Sequence, residues 1–331
     1  MPKKHYLTIA AAAMLGVSGL STALAGTETV AAPGKESKAV TPPCPVTYIT
    51  GDFGVTFTSE YETRGLVSQD KGVIAQPYLD IYIKLYSGDA NSWFINSVSG
   101  QLSFWSDIGS NTYTANTAIG LPQGFYNHHP GTDAVPSWYE FDWDPGISVS
   151  FAQKFTLLVQ YFEFDSPAGD FDTARSIDAL LTYSDSWIWA NMPVLGAGNF
   201  AINPHATVLW ELGAPGFAGL NPHGWYYELG IAPSYTFLPK ATYPITLSTP
   251  VTLGLGDDHG FYQGNTFGYF SAGPTISVPL AFIPSGFGAW TVSASYLYYY
   301  EGTTVRAFNA SNGTDGSNSR NVFQGAIGCT F

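Results

Sequence analysis

The sequence predicts an all-β protein, a transmembrane antiparallel up-and-down β-barrel of about twelve strands and of the outer-membrane type. Three observations predict it: alternation of apolar and polar residues, connections that alternate in length, and an unusual composition. Charged residues make up 11% and aromatic residues 16% of the 331 residues, yet the mean hydropathy is only +0.04. Because uncharged polar residues offset the aromatic ones, this composition fits a wall between lipid and water.

Residues 1–25 have the three parts of a cleaved secretory signal peptide. Lys3 and Lys4 form the positive start, residues 7–20 are apolar, and the small residues at 23–25 form a cleavage site. Removing this segment takes away two lysines and no acidic residue, so the formal charge falls from −13 to −15. A chain this acidic is not expected to bind nucleic acid.

The rest of the chain divides into a leader and a barrel. Residues 26–50 lack periodicity and are predicted to form a flexible periplasmic leader, whereas residues 51–331 are predicted to form the barrel. No later stretch approaches about 18 consecutive apolar residues, so no membrane-spanning helix is predicted. The expected location is the bacterial outer membrane, whose lipid would surround the wall.

Alternation is clearest in residues 75–86 and 139–151, where apolar and polar residues take turns. Because side chains on a strand point to opposite faces in turn, each segment has one apolar and one polar face. Most segments are near the roughly 9–11 residues with which a tilted strand crosses a bilayer. The twelve predicted strands are centred in residues 52–64, 73–86, 93–105, 138–151, 155–165, 175–184, 199–211, 224–237, 244–256, 266–280, 288–300 and 320–331.

The connections between the predicted strands alternate in length. Those after strands 2, 4, 8 and 10 are short, whereas most of the others, notably 106–137 and 301–319, are longer and polar. Residues 185–198 are an exception, because they form a long connection on the short side. Short periplasmic turns, long outer loops and aromatic residues at the strand ends are the features expected of an outer-membrane barrel.

Prolines inside the predicted strands run against this assignment, because proline donates no hydrogen bond to a sheet. All but one of them fall on the predicted lipid-facing side, where they are expected to mark bulges or bends that curve the wall. These prolines are Pro77, Pro145, Pro204, Pro233, Pro250 and Pro274, of which Pro250 is the exception.

Residues 58–81 carry a motif near the start of the barrel. The motif residues are Ser59, Glu60, Tyr61, Arg64, Gly65, Ser68 and Gln69. This segment resembles the start of the TorF-like porin family of outer-membrane proteins, although two residues, Leu66 and Val67, stand where the family usually has one. The resemblance implies a porin-type barrel in the outer membrane and implies no catalytic residues.

Charged residues on the polar faces are predicted to line the lumen. They are Glu60, Glu62, Arg64, Asp80, Lys84, Glu140, Asp142, Asp144, Asp178, Glu211 and Glu228. Glu140, Asp142 and Asp144 share one strand face at about 6.5–7 Å spacing, and such a stripe either attracts cations or is simply a solvated part of the wall. Inward aromatic residues would either form a stacking slide for solutes or plug a narrow barrel. These aromatics are Tyr78, Tyr82, Tyr86, Trp105, Tyr226 and Tyr269.

Catalytic and metal sites are not predicted. His205 is the only histidine inside a predicted strand, and no local sequence resembles the nucleophile region of outer-membrane phospholipases. Residues 128–130 (His-His-Pro) and 256–260 (Gly-Asp-Asp-His-Gly) match no established metal spacing. The sequence therefore indicates no enzyme, no metal and no cofactor.

The function predicted from these features is a porin-like passive channel for small solutes, cationic or neutral because of its acidic lumen. The alternative is a non-conducting barrel with a structural, adhesion or scaffold role, and a lipid hydrolase is third. An occluded lumen would favour the non-conducting barrel, whereas an open path lined by the acids would favour the channel.

The end of the chain carries two further predictions. The last strand alternates and ends at Phe331, and it resembles the C-terminal signal by which the outer-membrane assembly machinery recognises its substrates. Cys329 lies on this closing strand, while Cys44 precedes the first strand at the same periplasmic end. Because the periplasm is oxidising, the two cysteines are predicted to form a disulfide, with two free thiols as the alternative.

Overall fold

Most of the described chain is β-strand. The computed structural model describes residues 48–88, 94–110, 137–168, 173–213, 223–257, 261–262, 265–311 and 316–331. In chain order its strands are β1 (Ile49–Thr58), β2 (Tyr61–Thr63), β3 (Leu66–Gln69), β4 (Ile74–Ser87), β5 (Ile95–Gly109), β6 (Trp138–Phe151), β7 (Phe155–Asp165), β8 (Ala174–Tyr183), β9 (His205–Glu211), β10 (Trp225–Ile231), β11 (Ser234–Phe237), β12 (Ile245–Ser248), β13 (Val251–Gly256), β14 (Phe267–Ala272), β15 (Thr275–Pro279), β16 (Ala289–Glu301) and β17 (Ser319–Thr330). The described helices are α1 (Ser186–Trp189) and α2 (Thr303–Ser311).

All of these strands except β2 and β3 form one antiparallel sheet that closes into a barrel. The pairs β10–β11, β12–β13 and β14–β15 are each two halves of one wall strand, so the wall has twelve strands, as predicted. Consecutive wall strands are neighbours, which confirms the up-and-down topology. We call the end of the barrel that carries Ile49 and Thr330 the inner end, and the opposite end the outer end.

The last strand closes the wall, because β17 pairs with β16 on one side and with β1 on the other. Cys329 lies opposite Phe53 of β1 and Trp290 of β16. The N–H of Phe331 donates to the carbonyl oxygen of Gly51 at 2.9 Å, and the Phe331 carbonyl accepts from the Gly51 N–H at 3.0 Å. The terminal residue therefore forms the final rung of the closing seam.

The first wall strand is shorter than predicted. β1 ends at Thr58, whose Oγ1 donates to the carbonyl oxygen of Glu60 at 2.6 Å. The chain then folds back as a separate hairpin of β2 and β3, which we call the lumen hairpin. Arg64 and Gly65 at its tip have φ of +52° and +84°, the positive signs that a type I′ turn requires. The prediction of one strand over 52–64 is therefore wrong, because this turn reverses the chain.

The seventh wall strand also starts later than the predicted range of 199–211. It begins at His205, because the preceding residues are held in an irregular connection by Asp185. The Asp185 carboxylate accepts the backbone N–H groups of Ile202 at 3.0 Å and of Asn203 at 2.9 Å. These N–H groups are therefore unavailable to a neighbouring strand.

The prolines inside the wall interrupt its hydrogen bonds without shifting its register. Pro233, Pro250 and Pro274 separate the two halves of three adjacent wall strands, and the pairing on both sides of each break keeps one register. The pairing around Pro77 and Pro145 likewise keeps its register. The carbonyl oxygens still accept, with Thr249 N–H bonded to Pro233 at 2.8 Å, Gly273 N–H to Pro250 at 3.3 Å and Tyr296 N–H to Pro274 at 3.0 Å. Each proline therefore costs the sheet only the one hydrogen bond that its missing N–H would have donated.

Apolar side chains cover the outer surface of the wall. The exposed ones include Phe53, Phe57, Ile147, Val159, Ile177, Leu181, Val208, Leu229, Ile276, Val292 and Phe323. A closed strand barrel with this exterior is stable in lipid, because every wall strand is paired and the apolar belt meets the acyl chains. The chain is a β-barrel of the bacterial outer membrane. Within the described ranges, neither helix is long and apolar enough to span a membrane.

Candidate functional site: the acidic lumen and its hairpin

The structure places most of the predicted lumen residues inside the barrel. Glu62 and Arg64 lie on the lumen hairpin rather than on the wall, and Glu60 directly precedes it. Lys84 lies near the inner end of β4 and is exposed. The predicted residues that are on wall strands and at most 7% exposed are Asp80, Glu140, Asp142, Asp144, Asp178, Glu211 and Glu228.

The lumen hairpin is almost completely buried. Its residues Tyr61, Glu62, Thr63, Arg64, Leu66, Val67 and Gln69 are each at most 7% exposed. Arg64 adopts φ +52°, a conformation that costs a non-glycine residue about 1 kcal/mol or more. Contacts of the Arg64 side chain and of the surrounding hairpin must therefore hold the tip in place.

Two side chains from the outer connections bind the backbone of the hairpin tip. The hydroxyl of Tyr262 donates to the carbonyl oxygen of Arg64 at 2.7 Å. Asn309 of α2 donates from Nδ2 to the carbonyl oxygen of Gly65 at 2.8 Å, and its Oδ1 accepts the N–H of Val67 at 2.9 Å. Asn309 is fully buried, so these bonds are shielded from water.

The Arg64 guanidinium lies in a pocket of wall residues. Its Nη2 is 3.3 Å from Oδ2 of Asp178 on β8, and both side chains are at least nine-tenths buried. The hydroxyl of Ser176 donates to the other Asp178 oxygen at 2.8 Å. The guanidinium carbon is 5.7 Å from the ring centroid of Phe164 and 5.5 Å from that of Tyr226, within cation–π range.

Tyr61 connects the hairpin to the predicted acidic stripe. Its hydroxyl donates to Oε2 of Glu140 at 2.9 Å, in a buried pair. Its ring packs on Trp105 at a centroid distance of 5.1 Å and on Tyr139 at 6.2 Å. One end of the stripe therefore binds the hairpin instead of facing an open pore.

A second charged group lies beside β2. Arg320 of β17 donates from Nε to Glu60 at 2.7 Å and lies 3.9 Å from Glu301. Glu62 is 5% exposed, and neither of its carboxylate oxygens has a hydrogen-bond partner among the described residues. Glu62 lies on the hairpin, outside the strands that cross the membrane. Burial raises the pKa of Glu62 well above its ordinary 4.5, and Glu301 and Glu60 raise it further, whereas Arg320 lowers it.

The lumen interior is strongly acidic. Among the described residues only two buried arginines, Arg64 and Arg320, face ten buried carboxyl groups inside the barrel. These are Glu62, Asp80, Asp107, Glu140, Asp142, Asp144, Asp178, Glu211, Glu228 and Glu301. This imbalance confirms the acidic interior that the alternation predicts, whereas the pore-lining role of the residues stays a prediction.

Inward aromatic residues pack around the hairpin in the outer half of the barrel. Tyr226 and Tyr269 are 1% exposed, and their hydroxyls are 3.0 Å apart, so they fill space as plugs would. The buried apolar cluster comprises Leu66, Leu209, Tyr226, Phe261, Tyr262, Tyr269, Leu297, Tyr299, Val305, Phe308 and Val322. Inward hydroxyl residues nearer the inner end of β6, β7 and β8 remain partly exposed, namely Ser148, Ser150, Thr156 and Thr182. The described part of the lumen is therefore packed in its outer half and wetter toward the inner end of these strands.

Four important lumen residues are missing from the sequence prediction, namely Asp107, Glu301, Asn309 and Arg320, the last of which lies inside a predicted strand. Asp107 and Glu301 lie on the inward face just beyond the predicted ends of their strands, and extending the alternation by two residues would have found Asp107. Asn309 could not be found in this way, because it lies on a helix and its partners Gly65 and Val67 are more than 240 residues away in sequence.

His205 contacts the backbone in the described part of the chain. The Nδ1 atom of His205 is 3.1 Å from the carbonyl oxygen of Asn203, and no serine hydroxyl is bonded to its ring in the described part of the chain. The described residues contain no cluster of metal ligands, and residues 128–130 and 258–260 lie outside them. Cys44 also lies outside the described residues, so its disulfide with Cys329 stays a prediction.

Comparisons with known proteins give structural likeness only. No protein-family model and no curated protein matches the sequence, so the resemblance to TorF-like porins stays a prediction. An outer membrane channel from Pseudomonas putida F1 is similar at 9% identity and a TM-score of 0.44, over 90% of this chain and 100% of that one. The NanC porin matches at 9% identity and a TM-score of 0.36, over 85% of this chain and 100% of that one. LpxR from Salmonella typhimurium matches at 9% identity and a TM-score of 0.39, over 85% of this chain and 100% of that one. At these values the likeness supports no argument about function.

Proposed function

We propose that this barrel is a porin-like passive channel for small cationic or neutral solutes, with the lumen hairpin as its constriction. The single observation that supports this proposal most is the excess of ten buried carboxyl groups over two arginines inside the wall. A purely structural barrel gains no stability from an excess of buried carboxyl groups over cationic side chains, because burying negative charge that no positive charge balances is unfavourable. A channel for cations uses the same excess, because it raises the local cation concentration.

A second candidate is a non-conducting barrel with a structural or adhesion role. The packing of Tyr226, Tyr269 and the lumen hairpin in the outer half favours it, because a closed lumen passes no solute. The two candidates differ in whether the hairpin is a removable constriction or a permanent part of the interior. That difference can be measured directly.

The test is ion conductance in planar lipid bilayers, comparing the full protein with a variant that lacks residues 61–69. The deletion removes the lumen hairpin and leaves six residues between Thr58 and Ile74, enough to join neighbouring antiparallel strands. We expect a larger, cation-preferring conductance from the deletion variant than from the full protein. Heat-modifiable migration on gels would establish that both are folded.

The proposal is rejected by either of two results. A folded full protein that conducts no ions would favour the non-conducting barrel. A variant that prefers anions would contradict the role of the acidic lumen.

A further inference from the structure

The pocket around the Arg64 side chain has the composition of a guanidinium-binding site. The Asp178 carboxylate supplies the counter-charge, and the rings of Phe164 and Tyr226 supply two aromatic faces. Glu228 lies next to this pocket, because its carboxylate accepts a hydrogen bond from the Tyr226 hydroxyl at 2.7 Å. Carboxylates and aromatic faces together are the groups that recognise flat, delocalised cations.

The pocket belongs to the wall, whereas the group that fills it belongs to the hairpin. Phe164, Asp178 and Tyr226 lie on β7, β8 and β10, each fixed by the barrel ladder. Bonds outside the hairpin also hold the polar members, because Ser176 donates to Asp178 and the Tyr226 hydroxyl donates to Glu228 at 2.7 Å. The pocket can therefore keep its shape when Arg64 leaves it.

The hairpin tip holds arginine at an unfavourable backbone position. A type I′ turn prefers asparagine, aspartate or glycine at both central positions, yet the first one here is Arg64, with φ +52°. The turn geometry does not explain an arginine, whereas the pocket that receives its guanidinium does.

We propose that this pocket is a binding site for soluble guanidinium compounds, and that Arg64 is its internal occupant, which such a solute displaces. This inference rests on the proposed channel function, in which it names guanidinium-bearing cations as a preferred solute class. Because Arg64 is at the hairpin tip, a solute that replaces it removes the ion pair that holds the tip to Asp178.

The experiment uses Arg64→Gly, which empties the pocket and also suits the positive φ of the turn. Thermal unfolding of the folded barrel in detergent is followed by heat-modifiable migration, with methylguanidinium as the probe and methylurea as its neutral analogue at matched ionic strength. We expect methylguanidinium to raise the unfolding temperature of Arg64→Gly and to bind at least about tenfold more tightly than methylurea.

Two double variants locate the binding. Adding Asp178→Asn to Arg64→Gly should weaken methylguanidinium binding by about tenfold or more. Adding Asp107→Asn, at a lumen acid bonded to Gln76 at 3.1 Å, should leave it intact. Equal effects of methylurea and methylguanidinium, or binding unchanged by Asp178→Asn, would overturn the proposal.

Arg64→Lys provides a second route if Arg64→Gly fails to fold. Lysine keeps the charge but lacks the planar guanidinium that lies near the rings of Phe164 and Tyr226, so methylguanidinium should stabilise Arg64→Lys more than the wild type. Greater stabilisation of the wild type than of Arg64→Lys by methylguanidinium would contradict the proposed site. Because these measurements need no ion current, a barrel that binds methylguanidinium without conducting retains the site and loses the channel. A barrel that conducts ions but does not bind methylguanidinium keeps the channel proposal and rejects the binding site.

Discussion

Asn309 donates a hydrogen bond from its side-chain amide to the carbonyl oxygen of Gly65 at 2.8 Å, across 244 positions of sequence. The bond ties a helix of the last outer connection to the tip of a hairpin from the first one. Both partners are inside the barrel, so the hairpin is fastened from the outer end as well as from the wall.

Asn309→Ala should release the hairpin tip. It leaves two buried backbone groups, the Gly65 carbonyl and the Val67 N–H, without their partner, at a cost of about 2–4 kcal/mol. We expect trypsin to cleave the folded variant after Arg64, a bond that is buried in the wild type. Lys71 is exposed and should be cleaved in both proteins, and Asn321→Ala on the lipid-facing side should leave Arg64 protected. Protection of Arg64 in Asn309→Ala would contradict the role of this bond.

Gly254→Ala should destabilise the barrel by overpacking. A Cβ at residue 254 would lie 2.1 Å from Cε1 of Tyr269, so the buried ring must move, at a cost of about 1–3 kcal/mol. The midpoint of urea unfolding measures this loss. Gly325→Ala is the matched control, because a Cβ there meets nothing within 4 Å. If the prediction holds, Gly254→Ala should no longer lower the urea midpoint in a background that already carries Tyr269→Ala. Equal losses of stability in Gly254→Ala and Gly325→Ala would refute the prediction.

Tyr61→Phe should lower stability through the hydrogen bond to Glu140. The change removes only a hydroxyl, and it deprives a buried carboxylate of a donor, for a loss of about 1–3 kcal/mol in the free energy of unfolding. Tyr296→Phe serves as the control, because its hydroxyl bonds to Asn321 on the exposed side. A urea midpoint that shifts equally in both variants would show that the buried bond stabilises the barrel no more than the exposed bond does.

Neutralising the acidic stripe should reduce the cation preference of the channel. In the variant that lacks residues 61–69, we expect Glu140→Gln, Asp142→Asn and Asp144→Asn together to lower the cation-to-anion permeability ratio by at least about twofold. The measurement is the reversal potential in a salt gradient. Glu163→Gln removes one acid that bonds Arg175 outside the lumen and should leave the ratio unchanged. An unaltered ratio in the triple variant would mean that these acids are only part of the wall.

Glu62→Gln should flatten the pH dependence of stability. Burial raises the pKa of Glu62, so the folded protein holds this proton more tightly than the unfolded chain does. Stability from this residue is therefore present at low pH and is lost as the pH rises above the ordinary value of 4.5. We expect the urea midpoint of the wild type to fall between pH 5 and pH 8 by more than that of Glu62→Gln. Glu163→Gln should keep the wild-type slope, and an identical slope in Glu62→Gln would contradict the prediction.

The wall strands could be predicted from the sequence because side chains on a strand alternate between its two faces. The segment 138–151 is found with its bounds unchanged as β6, because acidic or small inward residues alternate with apolar outward residues from Glu140 to Phe151. The same period places Asp142, Asp178 and Glu228 inside the barrel before any tertiary information is used. Errors occur at strand ends, as at Thr58 and His205, where side-chain bonds and turns compete with pairing.

The sequence by itself determined the class of the protein, the number of wall strands and the acidic sign of the interior. These properties follow from alternation and composition, which are local. Only the tertiary structure decided what the interior contains. The position of the lumen hairpin depends on bonds from Arg64 to Asp178, from Tyr61 to Glu140 and from Asn309 to the tip. These partners are 79 to 244 positions apart in sequence, and no local pattern specifies pairing over such distances.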